Sequence, residues 1–515
     1  MKKSTLFLCP GLLFLSMSAL SGCVIGKRSS GGGGGNDPVG GNLVIWVGSE
    51  SVDLYRTLAN EFTTANQDFK FKVEIVGADA GTAAASMIQD NTSVGDVVTI
   101  AHDNIGKLSQ LSYIAPIVDE DGYDDGLLAQ IKADNTPEFN KAVENILGSA
   151  EEETYTFAVP YISQALFLYY DTRYVSAEQA KTFEGLREAA IQYDADHGTS
   201  KTKSYITTGT DGYNFSFSVL ARNITEGNIS HLRLYEGGNR NDCYNQDNDQ
   251  VAVMKWMQRS YKDDHGTTFE LGGATWDNYI KNHKSLSVIG GAWHFNAFKS
   301  AVGEENVGCA IIPTMTLTAE DVEGIEAVKY PVDAGLPEEL RGADDPAPKA
   351  GDVYRGGSFV DCKCFVINMA SVLNKPNKYR AICQLLKFFS SKTVQQRSYV
   401  EALNVPAYAG SEDYINSLTN EVSPSALSMA KAQTGMTTYG FPQPFSTGTL
   451  NTYYYSKSCP DYYLQCLKNT DGVGETVEKI RAVLYKMEYV WKHGAAPAKD
   501  KYPDSYPAES TERRK

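Results

Sequence analysis

Leu43-Val44-Ile45-Trp46-Val47 is an unbroken β-favouring run, and the segments immediately after it decide the fold class. Across 53–65, Leu54, Leu58 and Phe62 recur every four residues while Tyr55 and Ala59 widen the stripe, as one face of an amphipathic helix requires. Phe71, Val73 and Ile75 then alternate with lysine and glutamate like a half-buried strand, 83–89 can form a helix, and 96–100 is a third apolar run. The order β-α-β-α-β predicts an α/β fold with a mostly parallel sheet flanked by helices.

The pattern returns downstream: 164–170 is strand-like, 184–194 and 251–262 are helical, and 286–289 and 307–312 are strands. This is a second α/β unit. Near 160 and again near 359–367 the chain changes units, so each lobe is expected from two segments: 42–161 with 355–408, and 162–314 with 409–494. Two lobes meeting at a hinge leave a cleft, where ligands of α/β assemblies sit. Two later helices are well marked, 378–390 with Tyr379, Ile382, Leu386 and Phe389 on one face, and 477–491 ending at Trp491. Ser423 before Pro424 reads as an N-cap opening a helix through 431. The stretch 315–354, rich in Asp, Glu, Pro and Gly, is expected as a surface insertion, and 495–515, with three prolines, as a disordered tail.

The N-terminus has a different logic. Met1-Lys2-Lys3 leads into an apolar stretch over 6–20 that is too short to span a bilayer, so 1–22 reads as a secretion signal. Leu20-Ser21-Gly22-Cys23 resembles the lipobox of bacterial lipoproteins, which implies cleavage before Cys23 and its lipidation. Residues 23–41, with five consecutive glycines, cannot bury apolar surface and read as a flexible tether of about 20–25 Å. No second long apolar run occurs downstream, so the expected location is extracytoplasmic, with the lipid as the membrane anchor and the body a monomer. Cleavage would take away two lysines and no acid, moving the formal charge from −16 to −18, which argues against nucleic acid as a partner.

Seven cysteines remain beyond Cys23, an odd number; pairing such as Cys459 to Cys466 is open. Zinc is disfavoured because Cys362-Lys363-Cys364 lacks the usual ligand gap and no histidine pair lies nearby in sequence. The seven histidines are scattered, and the acidic run 242–249 lacks the glycine and terminal glutamate of a calcium loop, so it reads as a solvated turn. No metal and no cofactor are expected. Phosphate-loop, zinc-protease and nucleophile-elbow motifs are absent from the sequence. A carboxylate pair for glycoside hydrolysis is not visible in sequence, so that chemistry stays open. Tyrosine is abundant, 31 of 515 residues, clustered at Tyr169-Tyr170, Tyr453-Tyr454-Tyr455 and Tyr462-Tyr463. Aromatic rings stack on the C–H faces of sugars, and they also pack β-sheets; composition does not separate the two.

The segments together resemble the bacterial extracellular solute-binding proteins of the maltose-binding type, which feed ABC importers. Leu43-Val44-Ile45-Trp46 before Gly48 resembles the family's opening strand and ligand loop, and Asp96-Val97-Val98 through Ala101-His102-Asp103 its third strand and acidic loop. Ala158-Val159-Pro160-Tyr161 resembles the first hinge crossing, Lys181-Thr182-Phe183-Glu184-Gly185-Leu186 a helix start, and Ile289-Gly290-Gly291-Ala292-Trp293 the element carrying a stacking aromatic. Ile311-Ile312-Pro313, Phe388-Phe389-Ser390-Ser391-Lys392 and Asn404-Val405-Pro406-Ala407 fit later segments.

The resemblance implies a two-lobed fold with an interlobe ligand cleft and no catalysis. It implies that Glu50 and Asp103 accept hydrogen bonds from ligand hydroxyls and that Trp293 stacks. Tyr213, Gln164, Trp46 and Tyr453 join them as candidates, with Tyr439 and Phe441 as alternatives to Tyr453. Core packing is the competing role for Trp46 and Trp293. Gln164, Asn104, Ile100 and Ser51 replace the maltose binder's carboxylate, arginine, tryptophan and lysine, so maltose itself is not implied. The expected function is capture of a carbohydrate, an oligosaccharide, for delivery to ABC permease subunits. A surface glycan-processing enzyme and a sensory lipoprotein for a non-sugar ligand are the alternatives.

Overall fold

The computed structural model describes residues 37 and 39–480, apart from 120–121, 147–153, 226–246, 270–274, 330–343, 440, 443–457, 469–471 and 477–478. The signal, most of the tether including Cys23, Cys243, Tyr453, nearly all of the 477–491 helix and the 495–515 tail lie outside these residues.

The first sheet runs in the order Phe441–Pro442, Phe359–Asn368, Val97–Ala101, Gly41–Val47, Phe71–Gly77, with Ile114–Ala115 and Ala158–Gln164 also paired to Phe359–Asn368. Gly41–Val47 is parallel to both Phe71–Gly77 and Val97–Ala101, as the β-α-β-α-β reading required. Leu43, Ile45 and Val47 point to one face, where Leu54, Tyr55, Leu58 and Phe62 of the helix Val52–Ala65 cover them together with Ile382, Leu386 and Phe389 of Pro376–Phe389. Each fully buried side chain of this kind contributes about 1.5–3 kcal/mol, so strand parity and helix stripe lock each other in register.

The second sheet has the order Thr267–Thr268, Tyr205–Thr207, Ser287–Gly291, Leu166–Asp171, Val307–Ala310. Its helix Phe183–His197 starts at Thr182, whose hydroxyl accepts from the Gly185 amide at 2.9 Å, and stops at Gly198 in the left-handed region. Both sheets are mixed, not mostly parallel. Phe359–Asn368 runs antiparallel to Val97–Ala101, and Leu166–Asp171 antiparallel to both of its neighbours. The reversed strand in each case arrives from the other half of the chain, so no crossover helix fixes its direction.

The 164–170 run is therefore two strands. The chain leaves the first sheet at Gln164 and enters the second at Leu166. The return passes through Gly356 and Gly357, where a Cβ on Gly357 would meet the Leu220 carbonyl oxygen at 2.4 Å. The two crossings are tied together, because the Leu166 amide donates to Ser358 Oγ at 2.8 Å. The helix Pro424–Tyr439, longer than its 424–431 expectation, then packs on Val307–Ala310, with Ser428 Oγ accepting from the Cys309 amide.

Three further expectations are corrected. The 315–354 stretch is not a surface insertion at its ends: Met315, Leu317 and Tyr354 are core residues, and Thr314–Thr316 pairs antiparallel with Val353–Arg355. Of the acidic run 242–249, residues 242–246 lie outside the described residues; 247–249 are not a solvated turn but open the helix Asp247–Lys262, and buried Asp249 accepts from the Tyr354 hydroxyl. Cys459 and Cys466 cannot pair. Both lie in the helix Ser458–Leu467, where seven residues span about 10 Å, beyond the reach of a disulfide. Of the described body cysteines, Cys309, Cys362, Cys364, Cys383 and Cys459 are free thiols.

Candidate ligand site

One local arrangement recurs: a strand, a three-residue 3₁₀ turn at its carboxyl end, then a helix. It occurs at Ser49–Ser51 after Gly41–Val47, at His102–Asn104 after Val97–Ala101, and at Ala292–His294 after Ser287–Gly291. These turns carry Glu50, Asp103 and Trp293. Carboxyl ends of strands are where open α/β sheets present ligand contacts, because the turn frees polar side chains and backbone amides from the ladder.

Glu50 is exposed, with Oε1 3.9 Å from Lys363 Nζ on the long strand Phe359–Asn368. Asp103 is half-buried and accepts from Asn104 Nδ2 at 2.7 Å. Beside it, His102 is buried and its Nδ1 contacts the Asp361 carboxylate. Burial by itself pushes the His102 imidazole down, but Asp361, with Cys362 and Asp103 adding to it, outweighs burial and holds the ring up at about 9. Gln164, also buried, is the register partner of Asp361 across the two crossing strands.

Trp293 is 44% exposed, one of few large apolar side chains so placed among the described residues. Its ring lies 6.0 Å from that of Tyr213, at the start of the helix Gly212–Val219, and Tyr213 in turn stacks on Phe359 at 6.4 Å and 25°. Burial pushes the Tyr213 hydroxyl well up, and the nearby carboxylates of Asp361, Asp211 and Asp103 push it further, so it stays protonated. Asp103 and Asp361, at the first sheet, thus lie near enough to Tyr213 to act on its hydroxyl, and Tyr213 adjoins Trp293.

Trp46 is set by strand parity. Neighbouring strand residues point to opposite faces, so with Ile45 in the core Trp46 packs on the other side with Ile88 and Val94, over Ala83 and Val98. Gly95 leaves it room, since a Cβ there would sit 2.8 Å from the Trp46 ring. It is half-buried there. A cavity of about 250 Å³, lined by Ser163, Val360, Phe139, Tyr408 and Thr434 among others, opens on the opposite face of the strands that carry Gln164 and Asp361. It contains none of the expected ligand residues. His102, Asp361 and Lys363 were missed as site residues; two charged side chains interrupting the apolar run 359–367 were the available signal, because such groups inside a strand need partners.

The sequence profile of the family described as bacterial extracellular solute-binding protein matches residues 57–423. The chain belongs to that family. Solved structures of similar fold include the maltodextrin-binding protein of L. casei BL23, with a TM-score of 0.60 at 17% identity over 88% of this chain and 100% of that one. The maltose-binding periplasmic protein of Listeria monocytogenes, in complex with maltose, gives 0.60 at 17% identity over 88% and 98%. MalX of Streptococcus pneumoniae, in complex with maltopentaose, gives 0.59 at 15% identity over 86% and 99%. No curated protein sequence matches this solute-binding protein. At these identities the likeness establishes the two-lobed fold. No helix among the described residues is long and apolar enough to cross a membrane.

Proposed function

We propose that this solute-binding protein captures a carbohydrate between its lobes and presents it to the permease of an ABC importer without altering it. The observation that carries the reading is the half-exposed Trp293 ring beside Tyr213, whose hydroxyl lies near the Asp103 and Asp361 carboxylates. A flat aromatic face with carboxylate acceptors nearby suits a ring of C–H bonds edged by hydroxyl donors. The sugars bound by the maltodextrin-type structures of like fold point the same way. Glu50, with Lys363, and Gln164 extend the polar wall, and Tyr453, which lies outside the described residues, remains a candidate beside them. The lobes are taken as 42–161 with 355–408 and 162–314 with 409–494. A ligand touching both sides favours the closed form, since only differential affinity for one state shifts a hinge equilibrium. Secretion, cleavage before Cys23 and lipidation there would hold the monomeric body on a short tether beside the permease.

The test is a thermal-shift and calorimetric screen of the purified protein against malto-oligosaccharides, other glycans and peptides. A ligand at one hundred times its dissociation constant adds about 2.7 kcal/mol to stability. Trp293→Ala is expected to weaken the best sugar about thirtyfold, as loss of a central aromatic contact of about 2 kcal/mol does. Binding of peptides in preference to every glycan, or unchanged affinity in the variant, would overturn the reading. Release of new reducing ends would establish an enzyme instead. Palmitate labelling lost in Cys23→Ser checks the anchor.

A further inference from the structure

Along the chain no histidine pair lies near Cys362-Lys363-Cys364, but the fold brings His102 onto Asp361, 259 residues away in sequence and next to Cys362. In the antiparallel ladder Ala101 pairs with Lys363 and Ile100 with Cys364, so one step on, His102 arrives opposite Cys362. A ring nitrogen of His102, the Cys362 sulfur and a carboxylate oxygen of Asp361 then lie within 4.8 Å of one another, all three residues buried. Cys364, two residues on and therefore on the same face, brings its sulfur to 3.4 Å from that of Cys362.

Two features set this cluster apart from ordinary core packing. His102 is 3% exposed, and its Nε2 has no hydrogen-bond partner among the described residues while its Nδ1 is held by Asp361. A carboxylate on one imidazole nitrogen and an open position on the other is the arrangement by which proteins orient a metal-ligating histidine. Cys362 and Cys364 are both fully buried thiols, and thiolates sharing a tetrahedral ion with bonds of about 2.3 Å stand about 3.8 Å apart, within a small side-chain rotation of their present spacing.

We propose that Cys362, Cys364 and His102, with Asp361 orienting the imidazole, form a binding site for a thiophilic d¹⁰ cation, Zn²⁺ or Cu⁺. Two sulfurs and one imidazole nitrogen favour such ions over Mg²⁺ or Ca²⁺, which take oxygen donors. On uptake each thiol S–H bond and one imidazolium N–H bond of His102 break, the protons leave to solvent, and sulfur–metal and nitrogen–metal bonds form with no change of oxidation state. The ion joins the turn His102–Asn104, which carries Asp103, to the crossing strand Phe359–Asn368. It is a staple between the ligand loop and the hinge, not a group that touches the ligand.

The test uses the purified full chain, reduced and metal-free under anaerobic conditions. Zn²⁺ is titrated against a chromophoric chelator, Cu⁺ against a cuprous-specific chelator, and Co²⁺ serves as a spectroscopic probe. One equivalent is expected to bind tightly, with a thiolate-to-cobalt charge-transfer band. The double variant Cys362→Ser with Cys364→Ser is expected to lose at least a hundredfold in affinity together with that band, and His102→Gln about tenfold or more. Cys309→Ser and Cys383→Ser are expected to bind as the parent does. Should the double variant fail to fold, alkylation of the parent under mild denaturation decides: the bound ion should shield Cys362 and Cys364 alone. Tighter Zn²⁺ or tighter Cu⁺ binding names the ion. No uptake, uptake unaffected by the substitutions, or a Cys362–Cys364 disulfide in the secreted protein would each overturn the proposal.

Discussion

The indole of Trp293 folds back across Gly291, so closely that a Cβ on Gly291 would fall 2.1 Å from the ring. Gly291 closes the strand Ser287–Gly291 and is itself buried, whereas Trp293 is half exposed and has space to swing away. A side chain at 291 and the present indole position therefore exclude one another.

Gly291→Ala is accordingly expected to change stability by less than about 1 kcal/mol, the clash falling on a movable ring and not on backbone. Ligand affinity should drop toward that of Trp293→Ala, and tryptophan fluorescence of the unliganded protein should change. A ligand isotherm that matches the parent would separate Trp293 from the site.

His294, next to Trp293, gives a pH dependence. Burial holds its imidazole down at about 4, from an ordinary value of 6.5, and its Nδ1 has no partner among the described residues. The folded form thus keeps the ring neutral while the unfolded chain protonates it. Its neutral form is favourable to folding above pH 6.5, and stability falls as pH drops from 6.5 toward 4, by about 3 kcal/mol in total. His294→Phe, which cannot take a proton, should flatten that part of the acid limb in denaturant melts at pH 7 and pH 5, compared with the parent.

A buried ion pair ties the helix Ala319–Val322, within the 315–354 excursion, to the helix Asp247–Lys262. Asp321 is fully buried, accepts from Arg259 Nε at 3.1 Å and Nη2 at 2.8 Å, and caps its own short helix through Thr318. Arg259→Met leaves a buried carboxylate without its cation and is expected to cost about 3 kcal/mol. Chemical denaturation should report the loss as a lower midpoint than the parent's.

Thr182→Ala tests a local feature. Loss of the hydroxyl that accepts from the Gly185 amide should cost about 1 kcal/mol, and Thr182→Ser should recover most of it, as judged by the urea midpoint.

Much of the scaffold was legible because its signals are local. The alternation Leu43, Ile45, Val47 and the four-residue stripe Leu54, Leu58, Phe62 are the strand and helix periods themselves, and the core over the first sheet uses those residues as the pattern requires. The solute-binding family was legible through the order of such segments. The same one-residue parity that places Ile45 in the core sends Trp46 to the opposite face, and which face adjoins the cleft is not written in that parity.

The chain alone determined which residues form strands and helices, where the helices are capped, and the order in which two α/β units share the sequence. Only tertiary structure decided which residues meet across long separations: His102 with Asp361 and Cys362, Tyr213 with Trp293, Arg259 with Asp321. Periodicity is a property of neighbouring residues, whereas these contacts depend on strand direction and register between segments, which are fixed only when both sheets pack.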